Sequence, residues 1–166
     1  MKQMNPEHVA ALMELINHGP FFQLLSMRIR AIEPAYARVE LDLERKHLNP
    51  FGSVHGGVYS SLIDTASYWS VYGEMEEHVG YTTIDLSVNY LSMIQEGKIT
   101  VEGKSIKIGR SICLAEAIAK DEQGRLLVYG TSKLMVLGER QSIDQAIASM
   151  GYQALPAKFI GNGTNQ

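Results

Sequence analysis

Asn49-Pro50-Phe51-Gly52-Ser53-Val54-His55-Gly56-Gly57-Val58-Tyr59-Ser60-Ser61-Leu62-Ile63-Asp64 is the stretch on which the reading of this chain turns. A Gly/Pro-rich loop gives way to an apolar run at the paired glycines, and a carboxylate follows two turns later. A helix beginning at Gly56 would offer unpaired backbone N–H groups and a partial positive charge at its first turn. Those are the needs of a polarised carbonyl oxygen. A carboxylate set among small and apolar residues is a candidate base or nucleophile. Together the two features suggest attack on an acyl group.

Working outward, the spacing predicts one long helix over residues 56 to about 76. Val58, Leu62, Ala66, Trp69 and Gly73 recur on one side, as a helix lying on a sheet requires. Asp64 is two residues from both Leu62 and Ala66, so at about 100° per residue it points away from that stripe. Upstream, Asn5 and Pro6 suit an N-cap and a first helical position. Val9, Leu12, Met13 and Ile16 then recur at helical spacing, which predicts a helix over 5–18 closed by Gly19-Pro20. Residues 22–32 read as a first strand closed by Pro34. Ala37, Val39, Leu41 and Leu43 alternate with Arg38, Glu40, Asp42 and Glu44, the signature of a half-buried strand. Residues 46–54 read as a loop.

Downstream, Ile84, Leu86, Val88 and Tyr90 alternate with Asp85, Ser87 and Asn89, predicting a further strand. Glu96-Gly97 leads into a strand over 98–108, Gly109 interrupts, and 110–120 resumes. Asp121-Glu122-Gln123-Gly124 reads as a hairpin turn before a last strand over 126–137. Ser142 caps a short helix to about 150, and the polar tail from Gly161 is expected to fray. The order is helix, two strands, long helix, four strands. That is an α+β layer architecture, one long helix against one antiparallel sheet.

The 166 residues suffice for a single domain over 1–166, with a core of about 20–138, an N-terminal helix at 5–18 and a C-terminal extension at 139–166. Hydrophobic residues make up 45% and charged residues 20%, a globular balance. A net charge of −3 gives no sign of a nucleic-acid partner. No apolar run approaches a membrane span, and the polar N-terminus is unlike a signal peptide, so no membrane association and a cytoplasmic location are expected. The single Cys113 excludes an internal disulfide and reads as a buried, inert thiol. His8, His18, His47, His55 and His78 show no metal-ligand spacing. There is no G-x-S-x-G nucleophile motif and no phosphate-binding P-loop.

In residue type and spacing, Asn49, the His55-Gly56-Gly57 run and Asp64 resemble the signature of hotdog-fold acyl-CoA thioesterases of the phenylacetate-pathway (PaaI) type. The Thr82-Thr83-Ile84-Asp85-Leu86 strand opening and the Gly109-Arg110 break are similar to that family too. The resemblance covers roughly residues 20–138. It implies a hotdog fold, a curved antiparallel sheet wrapped around one long central helix. It also implies hydrolysis of acyl-CoA thioesters without a metal or other cofactor, coenzyme A being part of the substrate. Chains of this family pair their sheets edge to edge, and the pairs often join as tetramers.

The resemblance also implies roles. The Gly56 N–H would polarise the thioester carbonyl, and Asp64 would activate water or attack the carbonyl directly. Asn49 would hydrogen-bond the water or the carbonyl, His55 would shape the helix start, and Thr83 would hold the nucleophilic water. Glycine at 56 lets the acyl group approach the backbone closely, and Gly57, counted with the substrate-binding candidates, gives the same closeness to helix packing. Coenzyme A carries phosphates, so Lys104, Lys107, Gly109 and Arg110 are candidates to bind it. Gly56 and Asp64 lie roughly 12 Å apart at 1.5 Å of helix rise per residue. One thioester carbon cannot sit within hydrogen-bond reach of both, so two sites shared across a homodimer are expected. Two other functions remain open. One is a non-catalytic acyl-CoA binding module. The other is a hotdog hydratase or dehydratase, which needs a His paired with an acid.

Overall fold

Apolar residues at helical spacing and apolar residues at strand spacing bury each other here as one helix on one sheet. The computed structural model describes residues 3–152 and 154–161. The chain begins with β1 (Gln3–Met4), α1 (Pro6–Asn17), α2 (Pro20–Leu25), β2 (Met27–Glu33) and β3 (Tyr36–Asp42). The long helix α3 (Gly56–Tyr72) follows, then β4 (Gly80–Tyr90), β5 (Lys98–Lys107), β6 (Ile112–Lys120) and β7 (Leu126–Gly138). A short helix α4 (Ile143–Ser149) and β8 (Phe159–Ile160) complete the described chain. The main sheet has the order β2-β3-β5-β6-β7-β4, and every neighbouring pair is antiparallel. This is the expected α+β layering.

Helix α3 touches every strand of that sheet. Leu62, Ile63, Ala66 and Val71 on the helix are fully buried, as are Val39, Val101, Ala115 and Ala117 beneath it. Each fully buried Leu or Ile contributes about 2 kcal/mol of hydrophobic stabilisation. Small residues line the floor because the helix lies close to it. A Cβ at Gly103 would stand 2.1 Å from the Ala66 carbonyl oxygen, and one at Gly130 would stand 2.6 Å from Ile63.

Three local differences from the sequence reading have physical reasons. The 22–32 segment is not one strand. Pro20 starts α2, Ser26 ends it at a left-handed φ of 54°, and β2 begins only at Met27. An apolar run this short does not distinguish helix from strand by periodicity. Helix α3 ends at Tyr72 rather than near 76, because the chain passes hard against β2 at Gly73. A Cβ there would stand 2.5 Å from the Glu33 carbonyl oxygen. The fraying expected from Gly161 onward falls on residues 162–166, outside those described.

The third difference positions the site. Strand β4 carries a bulge: Thr83 pairs with Leu134 and Asp85 pairs with Lys133, leaving Ile84 without a partner. In a regular strand Thr83 and Tyr90 would face opposite sides, being an odd number of residues apart. The extra residue switches the parity. Tyr81 and Thr83 before it, and Leu86, Val88 and Tyr90 after it, all turn toward α3, while Asp85 pairs with Lys133 on the outer face at 2.9 Å. Ile84 therefore does not share a face with Leu86, and it is 50% exposed. Strand β4 is also the edge of the sheet, paired only with β7 among the described residues.

The C-terminal segment folds back over the end of α3. Strand β8 pairs with β1, joining the two ends of the described chain. Lys158 is fully buried, and its Nζ donates to the carbonyls of Tyr72 and Met75 at 2.7 Å each. A cation on the last carbonyls of a helix satisfies acceptors that have no intrahelical partner and complements the helix dipole. No helix among the described residues is long and apolar enough to cross a membrane.

Candidate active site

His55 is the N-cap of α3: its backbone is extended and its Nδ1 accepts from the Gly57 N–H at 2.9 Å. The His55 carbonyl accepts from Val58 N–H, and its own N–H donates to the His47 carbonyl. His47 is fully buried and ties this loop to α2, its Nε2 donating to the Leu25 carbonyl at 2.8 Å. Among the described residues the Gly56 N–H has no hydrogen-bond acceptor. The helix start therefore presents one free donor at the positive end of a long helix, as oxyanion stabilisation requires.

Asp64 lies two turns along α3, half-buried, and Oδ1 accepts from the Thr83 hydroxyl at 2.8 Å. The carboxylate thus turns toward the edge strand of its own sheet rather than clear of it, as the stripe geometry alone had implied. Burial pushes its pKa above the usual aspartate value, and the Thr83 hydroxyl, which stabilises the anion, opposes that shift. A half-desolvated carboxylate with a raised pKa suits proton abstraction or nucleophilic attack. Tyr68, one turn further on, stays a neutral phenol, pushed up to about 12 by burial and by the Asp64 charge. It donates to the Tyr81 carbonyl at 3.3 Å.

The other expected residues fall into place unevenly. Asn49 Oδ1 accepts from the Phe51 and Ser53 amides at 2.9 and 3.3 Å, so its carbonyl folds the loop. Only its amide NH2 remains to meet a ligand. Gly57 is exposed beside the free Gly56 amide. Lys104, Lys107 and Arg110 are all exposed. Lys104 pairs with Glu116, and Lys107 with Leu114, on the outer face of the β5–β6 hairpin. Gly109 lies in its turn, where a Cβ would stand 2.3 Å from the Ile112 carbonyl oxygen. Ser105, beside them, donates to Glu74, just beyond the C-terminus of α3. The basic residues thus sit at the far end of α3 from Gly56. His55 makes no contact with Asp64; its Nδ1 is spent on Gly57. The His–acid pair of a hydratase is not formed by these two residues within the chain.

Sequence reasoning missed Ser60 and Tyr90. The Ser60 hydroxyl donates to the Gly56 carbonyl at 3.1 Å and shares a 2.7 Å hydrogen bond with the Tyr90 phenol. Tyr90 reaches the same carbonyl at 3.3 Å. A Cβ on Gly56 would stand 3.4 Å from the Tyr90 ring, so the ring covers the helix start. The signal was Tyr90 at the end of the apolar alternation in β4, where a polar-tipped ring needs a partner.

Solved structures share this fold, and a family model matches part of the chain. Residues 51–128 match the family model of the Thioesterase superfamily, a span that holds Gly56, Asp64, Thr83 and Tyr90. A 1,4-dihydroxy-2-naphthoyl-CoA hydrolase of Listeria monocytogenes is 27% identical over 72% of this chain and 97% of its own length. Acyl-coenzyme A thioesterase 13 of Mus musculus is 21% identical over 75% of this chain and 91% of its own. The crystal structure of a Haemophilus influenzae thioesterase superposes with a TM-score of 0.76 at 21% identity, covering 84% of this chain and 97% of that one. A Streptococcus pneumoniae thioesterase protein, solved with coenzyme A, superposes at 0.63 and 24% identity over 69% and 88% of the two chains.

Proposed function

We propose that this chain is a hotdog-fold member of the thioesterase superfamily, whose model it matches over residues 51–128, and that it hydrolyses acyl-CoA thioesters, aryl-CoA esters included, to the free acid and coenzyme A. The observation that carries the reading is Asp64, a half-buried carboxylate of raised pKa on the same helix as a free N-terminal amide. The names of two relatives support the substrate class: one is a naphthoyl-CoA hydrolase and one an acyl-coenzyme A thioesterase.

The two groups are roughly 12 Å apart along one helix, too far to serve one carbonyl carbon. The edge strand offers a solution. Along β4, Tyr90 lies beside Gly56 and Thr83 lies beside Asp64. Antiparallel pairing of two β4 edges sets the Tyr90 end of one chain against the Thr83 end of the other. Gly56 of one subunit then approaches Asp64 of the second, giving two shared sites per homodimer. Such dimers can associate further into a dimer of dimers.

In each site the thioester oxygen accepts from the Gly56 N–H, which meets the charge that develops as the carbonyl carbon is attacked. Asp64 takes a proton from water as the water oxygen bonds to that carbon, or bonds to it directly and forms an anhydride that water then opens. Collapse of the tetrahedral adduct breaks the C–S bond, and the coenzyme A thiolate leaves and is protonated. Thr83 orients the carboxylate, and the Asn49 NH2 group is the part of that side chain left to contact water or substrate. Lys107, Gly109 and Arg110, and Lys104 behind them, would receive the phosphates of the coenzyme. No cofactor enters this scheme.

Thiol release from a panel of acyl-CoA and aryl-CoA esters tests the reading. Wild type is expected to hydrolyse at least one member, and Asp64→Asn to lower kcat by about 10³-fold while remaining folded. Absence of thiol release from every member, or full activity in Asp64→Asn, would overturn it.

A further inference from the structure

The paired glycines at the start of α3 create a difficulty that the neighbouring side chains resolve. Glycine lets substrate approach the backbone closely, but it also leaves the backbone freer than any other residue. An oxyanion donor must instead be fixed before the reaction begins. The peptide joining Gly56 to Gly57 is gripped at both ends. Its N–H donates to His55 Nδ1 at 2.9 Å. Its carbonyl accepts from Ser60 at 3.1 Å and lies 3.3 Å from the Tyr90 hydroxyl, and those two hydroxyls are bonded to each other at 2.7 Å. The preceding peptide carries the free Gly56 N–H, and its carbonyl is held by Val58 N–H at 2.9 Å.

We propose that the Ser60–Tyr90 hydroxyl pair positions the oxyanion donor, clamping the Gly56–Gly57 peptide so that the adjoining Gly56 N–H keeps one direction. The proposal rests on the thioesterase reading of this site and deepens it. Ser60 and Tyr90 are positioning residues: they act through the backbone and take no part in proton transfer. The arrangement also couples the donor to the β4 bulge, since Tyr90 faces α3 only because Ile84 switches the strand's parity.

The test compares wild type with Tyr90→Phe, Ser60→Ala, the double variant and Ser60→Thr, with Asp64→Asn as a control. The readouts are kcat and KM on whichever acyl-CoA wild type hydrolyses, and amide hydrogen exchange at Gly57 by NMR. Loss of either hydroxyl is expected to lower kcat about tenfold with KM within about twofold, the signature of misplacement rather than lost binding. The double variant should be no worse than the poorer single one, because the pair acts as a unit. Ser60→Thr should restore kcat. Gly57 should exchange about tenfold faster in Tyr90→Phe and Ser60→Ala, while amides in the middle of α3 stay unchanged. Unchanged kcat and unchanged Gly57 exchange would overturn the proposal, as would a rise in KM alone, which would make Tyr90 a substrate wall. If wild type hydrolyses nothing, or Asp64→Asn keeps full activity, the thioesterase reading fails; Gly57 exchange then still decides whether the clamp exists.

Discussion

At Asp64 two neighbours pull in opposite directions. Partial burial raises the carboxyl pKa from 3.8, and the Thr83 hydroxyl at 2.8 Å holds it down. Base and nucleophile must both be ionised, so activity should rise with pH through that raised pKa. Thr83→Val removes the group that favours the anion, so the acid limb of a kcat/KM profile should move to higher pH. Thr83→Ser should keep it in place. A valine variant with an unmoved acid limb would show that Thr83 does not tune Asp64. His55→Ala removes the acceptor for Gly57 N–H and should cost about 1 kcal/mol of stability, read in a urea titration. The spacing of Gly56 and Asp64 was readable because it is a local property of one periodic run, whereas Thr83, which meets Asp64 from β4, entered through the family resemblance. Tyr90 and Ser60 meet across thirty residues of chain, and no local pattern reports that contact. Asn49 entered as a site candidate through the family resemblance, and the use of its carbonyl in folding its own loop was not legible.

The element most dependent on tertiary structure is the C-terminal segment. Lysines are ordinarily exposed, yet Lys158 is fully buried and caps α3. Its Nζ lies 3.8 Å from the centre of the Tyr72 ring. Lys158→Ala would leave two buried carbonyls without that donor, a loss of about 2–4 kcal/mol. In a chain of this size that lowers Tm by roughly 5–15 °C in a thermal unfolding scan. A shift under about 2 °C would show that the cap is dispensable. Strands β1 and β8 are too short for any periodicity to show, so their pairing was invisible. By contrast β3, with one buried and one wet face, was legible, though the strand ends at Asp42, two residues before the alternation does. In β4 the alternation was legible but not the bulge, because an unpaired Ile84 preserves the polar–apolar pattern while changing which face it occupies.

At the scale of the whole molecule, the proposed mechanism needs Gly56 and Asp64 at one carbon, and their separation along α3 keeps them apart within one chain. The proposal therefore takes the second half of each site from a second copy paired along the β4 edge. The one measurement that tests this most directly mixes two crippled chains. Asp64→Asn removes the carboxylate function. Gly56→Pro removes the free N–H at a first helical position, where proline is accepted, and His55 already has the extended backbone (φ −66°, ψ 136°) that a residue before proline prefers. Each variant alone should lose at least about 10²-fold in thiol release. After unfolding and refolding together in equal amounts, half the dimers are mixed and each has one intact site, so about a quarter of wild-type activity should return. Activity in the mixture no greater than the sum of the separate variants would contradict the shared site and place the chemistry within a single chain.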